Sequence, residues 1–396
     1  MALSFPTASS VGEIYRDGSK AWIWNVSAWN KVESADAESS DTAPTNAVIG
    51  NTWLNTNNGI LYYYDNSGSW VQIRGNELTA DDRPDFSADG HNATATEAML
   101  SGGSNLNGNN VYSEVNKFAF SGTTDATEHG NLTSTLKMHG SASNGTSAFV
   151  IAGHNGTTVV SNVQKIAFST NVTAASHGSL SRLTHNQATT QDAVQSMNAG
   201  GIYTGTRTAD IEKMAFATGS SAVQHGNLTM KRSVAAIGSD GYQALQAGGH
   251  AGSDNGGMVD IIEKWNFGSN TTTVNVGNLA TTQGNHFGAS DSTDLMIGGG
   301  TREVGASSAL QKISFASGVE SVTSAIPNDE VTSMKACSDG TEAWMAGGVK
   351  STNTINNRAW KYNFSSMART AFFNASGWSG RDPLAVTTHA VSSGGA

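Results

Sequence analysis

The sequence predicts an all-β protein: a six-bladed β-propeller preceded by a small β-meander module. Three observations carry that reading. Two independent sequence markers recur about every 49 residues along most of the chain. The segments between them are short and alternate bulky with small or polar residues. Gly-Gly and Asp-Gly turns separate them, and no window is long enough, or periodic enough at 3.6 residues, to form a helix.

Composition removes several classes. The 396 residues include 22 Lys and Arg against 32 Asp and Glu, a balance of −10, and only 14% are charged, where an ordinary globular chain has about 25%. A net-negative chain with no basic cluster lacks the electrostatic footprint that a phosphate backbone requires, so nucleic acid is not an expected partner. Nine Trp, eight Tyr and thirteen Phe, within 37% hydrophobic residues, supply enough apolar surface for folded cores and argue against disorder. Glycine contributes 45 residues but not at every third position, which excludes collagen. No apolar run approaches the roughly 18 residues of a membrane span, and MALSFPTASS lacks a basic and apolar leader pattern, so neither membrane insertion nor secretion is expected. Cys337 is the single cysteine; it can form no intramolecular disulfide and is expected as a small core residue.

The markers give the organisation. A small residue followed by Gly, ending an apolar run, recurs as SGG, AGH, AGG, AGG, GGG and AGG, centred on Gly102, Gly153, Gly200, Gly248, Gly299 and Gly347. Downstream of each lies Lys-x-x-Phe, in VNKFAF, VQKIAF, IEKMAF, IEKWNF, LQKISF and AWKYNF, with lysines Lys117, Lys165, Lys213, Lys264, Lys312 and Lys361. Both markers count six units. A third, HGNL or HGSL, places His129, His177 and His225 after three of these segments and weakens to VGNL at Val276. A fourth, FSADG, IGSDG or CSDG, falls around Asp89, Asp240 and Asp339.

Each unit therefore reads as four short strands. In VQKIAF, Gln164, Ile166 and Phe168 share one side while Val163, Lys165 and Ala167 share the other, so a bulky face backs onto a small one. That suits a sheet packed between neighbouring sheets. Four strands in a unit of 40 to 50 residues is the arithmetic of a propeller blade; a linear solenoid is the rival, disfavoured because solenoid repeats of this length are mostly helical. The 313 residues from 84 to 396 hold six units of about 49, and seven blades is the alternative if ILYYYDNSGSW (residues 60–70) supplies part of another. An apolar strand ending in Gly-Gly, a variable loop, then IEKM (Ile211 to Met214) or IEKW (Ile262 to Trp265) resembles a kelch-type repeat over roughly residues 84–375. It departs from kelch where a Tyr-Asp pair and a later Trp are expected and Phe and a His-Gly or Gly-Asn stand instead. The kelch-like architecture carries over better than any kelch partner.

Residues 1–83 lack the lysine marker but contain a duplication. VGEIYRDGSKAWIWNVSAWNKV from Val11 and IGNTWLNTNNGILYYYDNSGSWVQI from Ile49 each run as strand, polar turn, aromatic strand, second turn and closing Trp (Trp29, Trp70). They read as two small β-meanders joined by an acidic, proline-punctuated linker, ESADAESSDTAPT. Meanders this small bury little alone, so their aromatic density predicts docking on other proteins or on a second copy, and hence a homo-oligomer. The pair resembles short β modules of bacteriophage tail fibres. The Gly-rich repeats look like propeller arrays in structural proteins of marine phages, the cyanophage type among them.

Candidate sites are weighed against plain structural roles. Each repeat lysine is expected to lay its stem along apolar surface and send its ammonium to the rim, rather than to form a functional ring of charge. His129, His177 and His225 lie in separate units about 48 residues apart, so a turn-stabilising role is expected and metal ligation is not. His139, His154, His185 and His250 form no metal-ligand spacing. SDGTEAW at Ser338 occurs once and has the wrong spacing for a sialidase Asp-box, lone Cys337 does not suit a cross-linked copper site, and no GxSxG or phosphate loop appears. The loop His250 to Asp260 lacks the alternating carboxylates of a calcium site. No catalytic residue, cofactor or metal is expected, and the sequence singles out no receptor-binding residue.

What varies most is the loop after each Gly-Gly: SNLNGNNVYSE, HNGTTVVSN, IYTGTRTAD, HAGSDNGGMVD, TREVGASSA and VKSTNTINNR. A regular frame with variable loops suits recognition. The phage resemblance implies a virion component, of the tail, assembled in the host cytoplasm. It would be anchored to other virion proteins through residues 1–83 and would present residues 84–396 to a host cell-surface glycan or protein. A purely structural propeller decorating the head or bracing the tail is one alternative, and a cellular kelch-type interaction adaptor is another.

Overall fold

A computed structural model of the chain describes residues 14–17, 20–24, 29–32, 38–40, 42–45, 51–55, 60–64, 70–73, 96–374 and 390–394, apart from 105–109, 122–125, 171, 193, 253–256, 269–271, 304, 326–330, 334, 347, 351 and 353–357. Every regular element among them is a β-strand, and the chain divides into two compact units, Met1–Asp82 and Arg83–Ala396.

In the first unit, Ile14–Asp17, Lys20–Trp24 and Trp29–Val32 form an antiparallel meander with Trp24 opposite Trp29. A second sheet orders Glu38–Ser40, Thr52–Asn55, Ile60–Tyr64 and Trp70–Ile73. Glu38–Ser40 runs parallel to Thr52–Asn55, so the segment expected to be only a linker contributes an edge strand. The indoles explain why. Trp53 donates to Ser40 Oγ at 2.9 Å and Trp70 to the Pro44 carbonyl at 3.1 Å, so each aromatic N–H finds its acceptor in that segment. Trp53 also stacks on Tyr62, with centroids 5.0 Å apart, and meets Trp70 edge-on at 5.7 Å. Because Ile60–Tyr64 and Trp70–Ile73 belong to this sheet, they add no strand to the repeats.

The described residues of the second unit form six four-stranded antiparallel sheets, whose strands we name leading, second, third and last from one edge. The first sheet takes its leading strand from Ala390–Gly394, beside Glu97–Ser101, Glu114–Ala119 and Thr127–Asn131. The second is Gly140–Ser143, Ser147–His154, Val159–Ala167 and Ala175–Ser179. The third is Ala188–Gln191, Gln195–Ala199, Asp210–Ala215 and Val223–Asn227. Ala236–Ser239, Gln243–Ala247, Ile261–Asn266 and Val274–Asn278 make the fourth. The fifth is Phe287–Ser290, Asp294–Gly298, Ala309–Ser314 and Glu320–Ala325. The sixth is Lys335–Ser338, Glu342–Ala346, Arg358–Asn363 and Arg369–Asn374. Leading strands of consecutive sheets lie side by side from first to sixth, and the sixth lies beside the first.

Apolar burial sits between sheets. Met99 and Val115 of the first sheet meet Val150 and Ile166 of the second, and Phe149 of the second stacks on Phe216 of the third at 4.4 Å. Met197 and Ile211 meet Trp265 and Phe267, Leu245 and Ile262 meet Leu295 and Phe315, and Met296 and Leu310 meet Met345 and Trp360. Trp344 of the sixth sheet lies 5.6 Å from Phe118 and 5.7 Å from Phe120 of the first. Each sheet thus buries both faces, which is why both sides of VQKIAF carry buried residues, Val163 as well as Ile166 and Phe168.

The sequence markers occupy equivalent places. The Phe closing Lys-x-x-Phe is buried in all six sheets, and its N–H bonds the carbonyl just before the second strand, as Phe120 does to Thr96 at 2.8 Å and Phe364 to Thr341 at 3.1 Å. The His of HGNL is the extra residue of a β-bulge in the last strand: pairing skips His129, His177 and His225, and Val276 in the fourth sheet. Gly follows because the next sheet presses close. A Cβ on Gly130 would lie 2.2 Å from the Val172 carbonyl oxygen. The Gly-Gly pair is left-handed, with φ of 65° at Gly200 and 102° at Gly201, and a Cβ on Gly200 would sit 2.3 Å from the Arg232 carbonyl.

Between leading and second strands, Asn144, Asp192, Asp240, Asp291 and Asp339 each accept two backbone N–H groups; Asp240 takes those of Tyr242 and Gln243 at 2.9 Å. Asp89 lies outside the described residues. At the opposite end, two residues before the leading strands of the second to sixth sheets, Met138, Asn186, Val234, Asn285 and Ser333 all have φ between 50° and 59°. The left-handed region is uncommon for such side chains and an outlier for Val. A relay of backbone bonds holds them there: Asn186 N to Met138 O, Val234 N to Asn186 O, Asn285 N to Val234 O and Ser333 N to Asn285 O, at 2.8 to 3.0 Å.

Candidate functional site

The repeat lysines serve sheet contacts. Lys117, Lys264, Lys312 and Lys361 donate to the carbonyls of Phe168, Phe315, Phe364 and Phe120, each in the neighbouring sheet, at 3.0 to 3.3 Å. Lys117, Lys312 and Lys361 also pair with Glu97, Asp294 and Glu342 at the head of their own second strands. The ammonium expected at the rim is instead held in these four by a main-chain acceptor. The marker Phe spends its N–H within its own sheet while its carbonyl faces the preceding sheet, whose lysine supplies the donor.

The marker histidines are corrected in the same direction. His129 and His225 lie in strands rather than turns, and their Nε2 atoms contact the Ala167 and Asn266 carbonyls of the following sheet at 2.7 and 2.8 Å. His177 sets its ring edge-on to Phe149, with centroids 4.8 Å apart. Of the others, His139 Nε2 lies 3.3 Å from Ser101 Oγ, and burial, aided by the Lys335 charge, pushes its pKa down to about 3. His250 is buried near Asn285, at 3.4 Å, and the rings of His154 and His185 are 6.3 Å apart. Among the described residues no three His, Cys, Asp or Glu side chains converge on a metal-sized site; residues 253–256 of the loop after Gly249 lie outside them. Cys337 is buried in a leading strand, where burial and the nearby Asp339 raise its thiol pKa well above the usual range.

The residue before the repeat lysine is Glu or Gln in four of the six units, VQK, IEK, IEK and LQK, and the structure gives it a role the sequence does not show. Gln164 Oε1 accepts from Thr133 N at 2.6 Å, Glu212 Oε1 from Ser181 N at 2.9 Å, and Glu263 Oε1 from Thr229 N at 2.6 Å. Each clamps the chain arriving from the preceding sheet. Glu263 also meets Arg232 at 2.5 Å with both side chains fully buried, and His286, buried nearby, has its pKa lowered to about 4 by burial.

One concave region stands apart from these structural contacts. A groove of about 310 Å³ opens on the third sheet at the Gly-Gly end. Its wall is a small hairpin in which Tyr203 pairs with Thr206 and Ile202 with Arg207. Arg182 enters from the connection after the second sheet, Asn227 ends the last strand, and Lys231 enters from the connection to the fourth sheet. The groove is ordered from beneath: Arg182 pairs with Asp210, Thr208 Oγ1 bonds the same carboxylate, and Arg207 Nε donates to Ser233 Oγ at 3.1 Å. The Arg182 guanidinium lies 5.7 Å from the centroid of the Tyr203 ring, which is 38% exposed. Below it, a polar cavity of about 10 Å³ lined by Arg182, Asn198 and Glu212 is large enough for one water.

Three cations and one carboxylate thus line a concave surface on a chain of net charge −10. Such a surface attracts anions and offers a ring and polar edges for hydroxyl groups. Tyr203, Thr206 and Arg207 lie in IYTGTRTAD, one of the six variable loops, whereas Arg182 and Lys231 carry no motif and reach the groove through topology. No protein-family model matches the chain, and no curated protein matches it.

Proposed function

We propose that the six sheets are the blades of a closed, kelch-like six-bladed propeller, and that the protein is a non-catalytic phage virion component of the tail that attaches to the host surface. The observation that carries the attachment reading is the contrast between repeated main-chain devices throughout the frame and second-to-third-strand loops that differ in every unit. Closure is supported by the adjacency of the sixth and first leading strands, by Lys361 donating to Phe120 O, and by the strand 390–394 completing the first sheet. The tail assignment rests on the resemblance of residues 1–83 to tail-fibre modules, which would anchor the chain to other virion proteins or to a second copy of itself.

The test is saturable binding of the labelled full chain to host cells, with competition against infection and imaging of particles. Attachment predicts saturable binding that substitutions in the second-to-third loops abolish. Absence of binding by folded protein, with density away from the distal tail, would leave a structural propeller as the better account. Turnover of a glycan or ester substrate lost on one loop substitution would overturn the non-catalytic reading.

A further inference from the structure

We infer that the groove on the third sheet binds a negatively charged saccharide, a sugar residue carrying a carboxylate or a sulfate. The inference deepens the attachment reading and rests on it for its biological meaning, but the site is argued from its own residues. Its charge departs from the repeat. In the connections that follow the last strands, Arg182 occupies the place that Ser134, Met230 and Thr281 hold after the first, third and fourth sheets, and Lys231 the place of Thr135, Leu183 and Thr282 after the first, second and fourth. Cations therefore stand where the equivalent residues are uncharged, at two places that converge on one groove, and Arg207 supplies a third from the loop between them.

Geometry narrows the ligand. Asp210 is engaged by Arg182 and Thr208, so its charge offsets one cation and leaves the groove net positive. An anion approaching Arg207 and Lys231 gains charge-assisted hydrogen bonds. A bare anion would leave the rest of the volume unused. The space of about 310 Å³ lies at the lower end of small-molecule sites, Tyr203 offers an exposed ring for the C–H face of a sugar, and Thr206 and Asn227 stand at the edges for hydroxyls. Tethering of Arg207 to Ser233 and of Arg182 to Asp210 fixes two of the cations before a ligand arrives, which lowers the ordering cost of binding.

Titration of the full chain with glucuronic acid, N-acetylglucosamine 6-sulfate, glucose and inorganic sulfate, followed by calorimetry, tests the site. Glucuronic acid or the sulfated sugar should bind saturably, at least tenfold tighter than glucose and than inorganic sulfate, and more weakly as salt rises. Which acidic sugar binds better distinguishes carboxylate from sulfate. Arg207→Gln and Lys231→Gln should each weaken binding about tenfold, a change of about 1.4 kcal/mol, while thermal midpoints stay put. Equal binding of glucose, no acidic-sugar binding at millimolar concentration, or a double variant that binds like the parent would overturn the assignment. If cells are bound but the acidic sugars neither bind nor compete, the saccharide class falls and attachment stands. If the sugars bind the groove and cells are not bound, attachment falls and the groove stands.

Discussion

At one end of the six sheets, the turn from leading to second strand is nearly the same in five repeats: one Asn or Asp carboxamide or carboxylate oxygen accepts two backbone N–H groups. At the other end, the connection from second to third strand ranges from 4 residues (155–158) in the second sheet to 13 (248–260) in the fourth. The uniform end satisfies main-chain polarity with residues of fixed type, so its chemistry is consumed by the frame. At the variable end the frame is secured one layer deeper, by the left-handed relay and the buried Glu and His contacts. The loops above are thereby released to differ, and the cationic groove lies among them.

The largest disturbance to this contrast should come from the frame itself. Removing residues 390–394 deprives the first sheet of its leading strand, so cooperative thermal unfolding followed by circular dichroism should be lost, whatever the loops contain. Glu263→Ala strands the buried Arg232 guanidinium and should cost about 3–5 kcal/mol in urea unfolding. Acid comes next. His139 and His286 have folded pKa values near 3 and 4 against about 6.5 unfolded, so the unfolded chain binds more protons between those values. Stability should therefore fall as pH drops from about 6.5 toward 4, by on the order of 3 kcal/mol for each histidine, and His286→Gln should flatten that slope.

Asp240→Ala removes an acceptor for two N–H groups at the uniform end, with an expected loss of about 1–2 kcal/mol. Tyr203→Ala at the variable end should change stability by less than about 0.5 kcal/mol while weakening acidic-sugar binding. A Tyr203→Ala variant as destabilised as the Asp240→Ala variant would erase the distinction between the ends.

What could be read from sequence were the features that demand one residue type. Phe of Lys-x-x-Phe fills every inter-sheet slot and Gly-Gly accommodates the close approach at Gly200, so these recur visibly and count six units, whereas the Asp of the Asp-Gly turns was legible only at some of the five described turns that Asn or Asp caps. Features made by the main chain left no such trace. The relay through Met138, Asn186, Val234, Asn285 and Ser333 uses five positions with only one type repeated, because backbone bonds, not side chains, impose the left-handed conformation. The strand at Glu38–Ser40 hid in a linker-like composition, since its partners are indole N–H groups and a parallel edge. The groove was half visible: Tyr203 and Arg207 stand in a variable loop, whereas Arg182 and Lys231 become neighbours only when the connections on either side of the third sheet converge.

The pairing of Ala390–Gly394 with Glu97–Ser101 also sets a clock. The strand 97–101 leaves the ribosome before its partner, which begins 293 positions later. At roughly 5–20 residues per second, synthesis leaves that edge bare for about 15–60 s. During that interval five sheets can assemble in order of emergence, while the first waits with unpaired N–H and C=O groups that any other nascent copy could borrow. Crowding of many copies on one message is therefore the condition under which this chain is most exposed to exchanging the strand 390–394 with a neighbour.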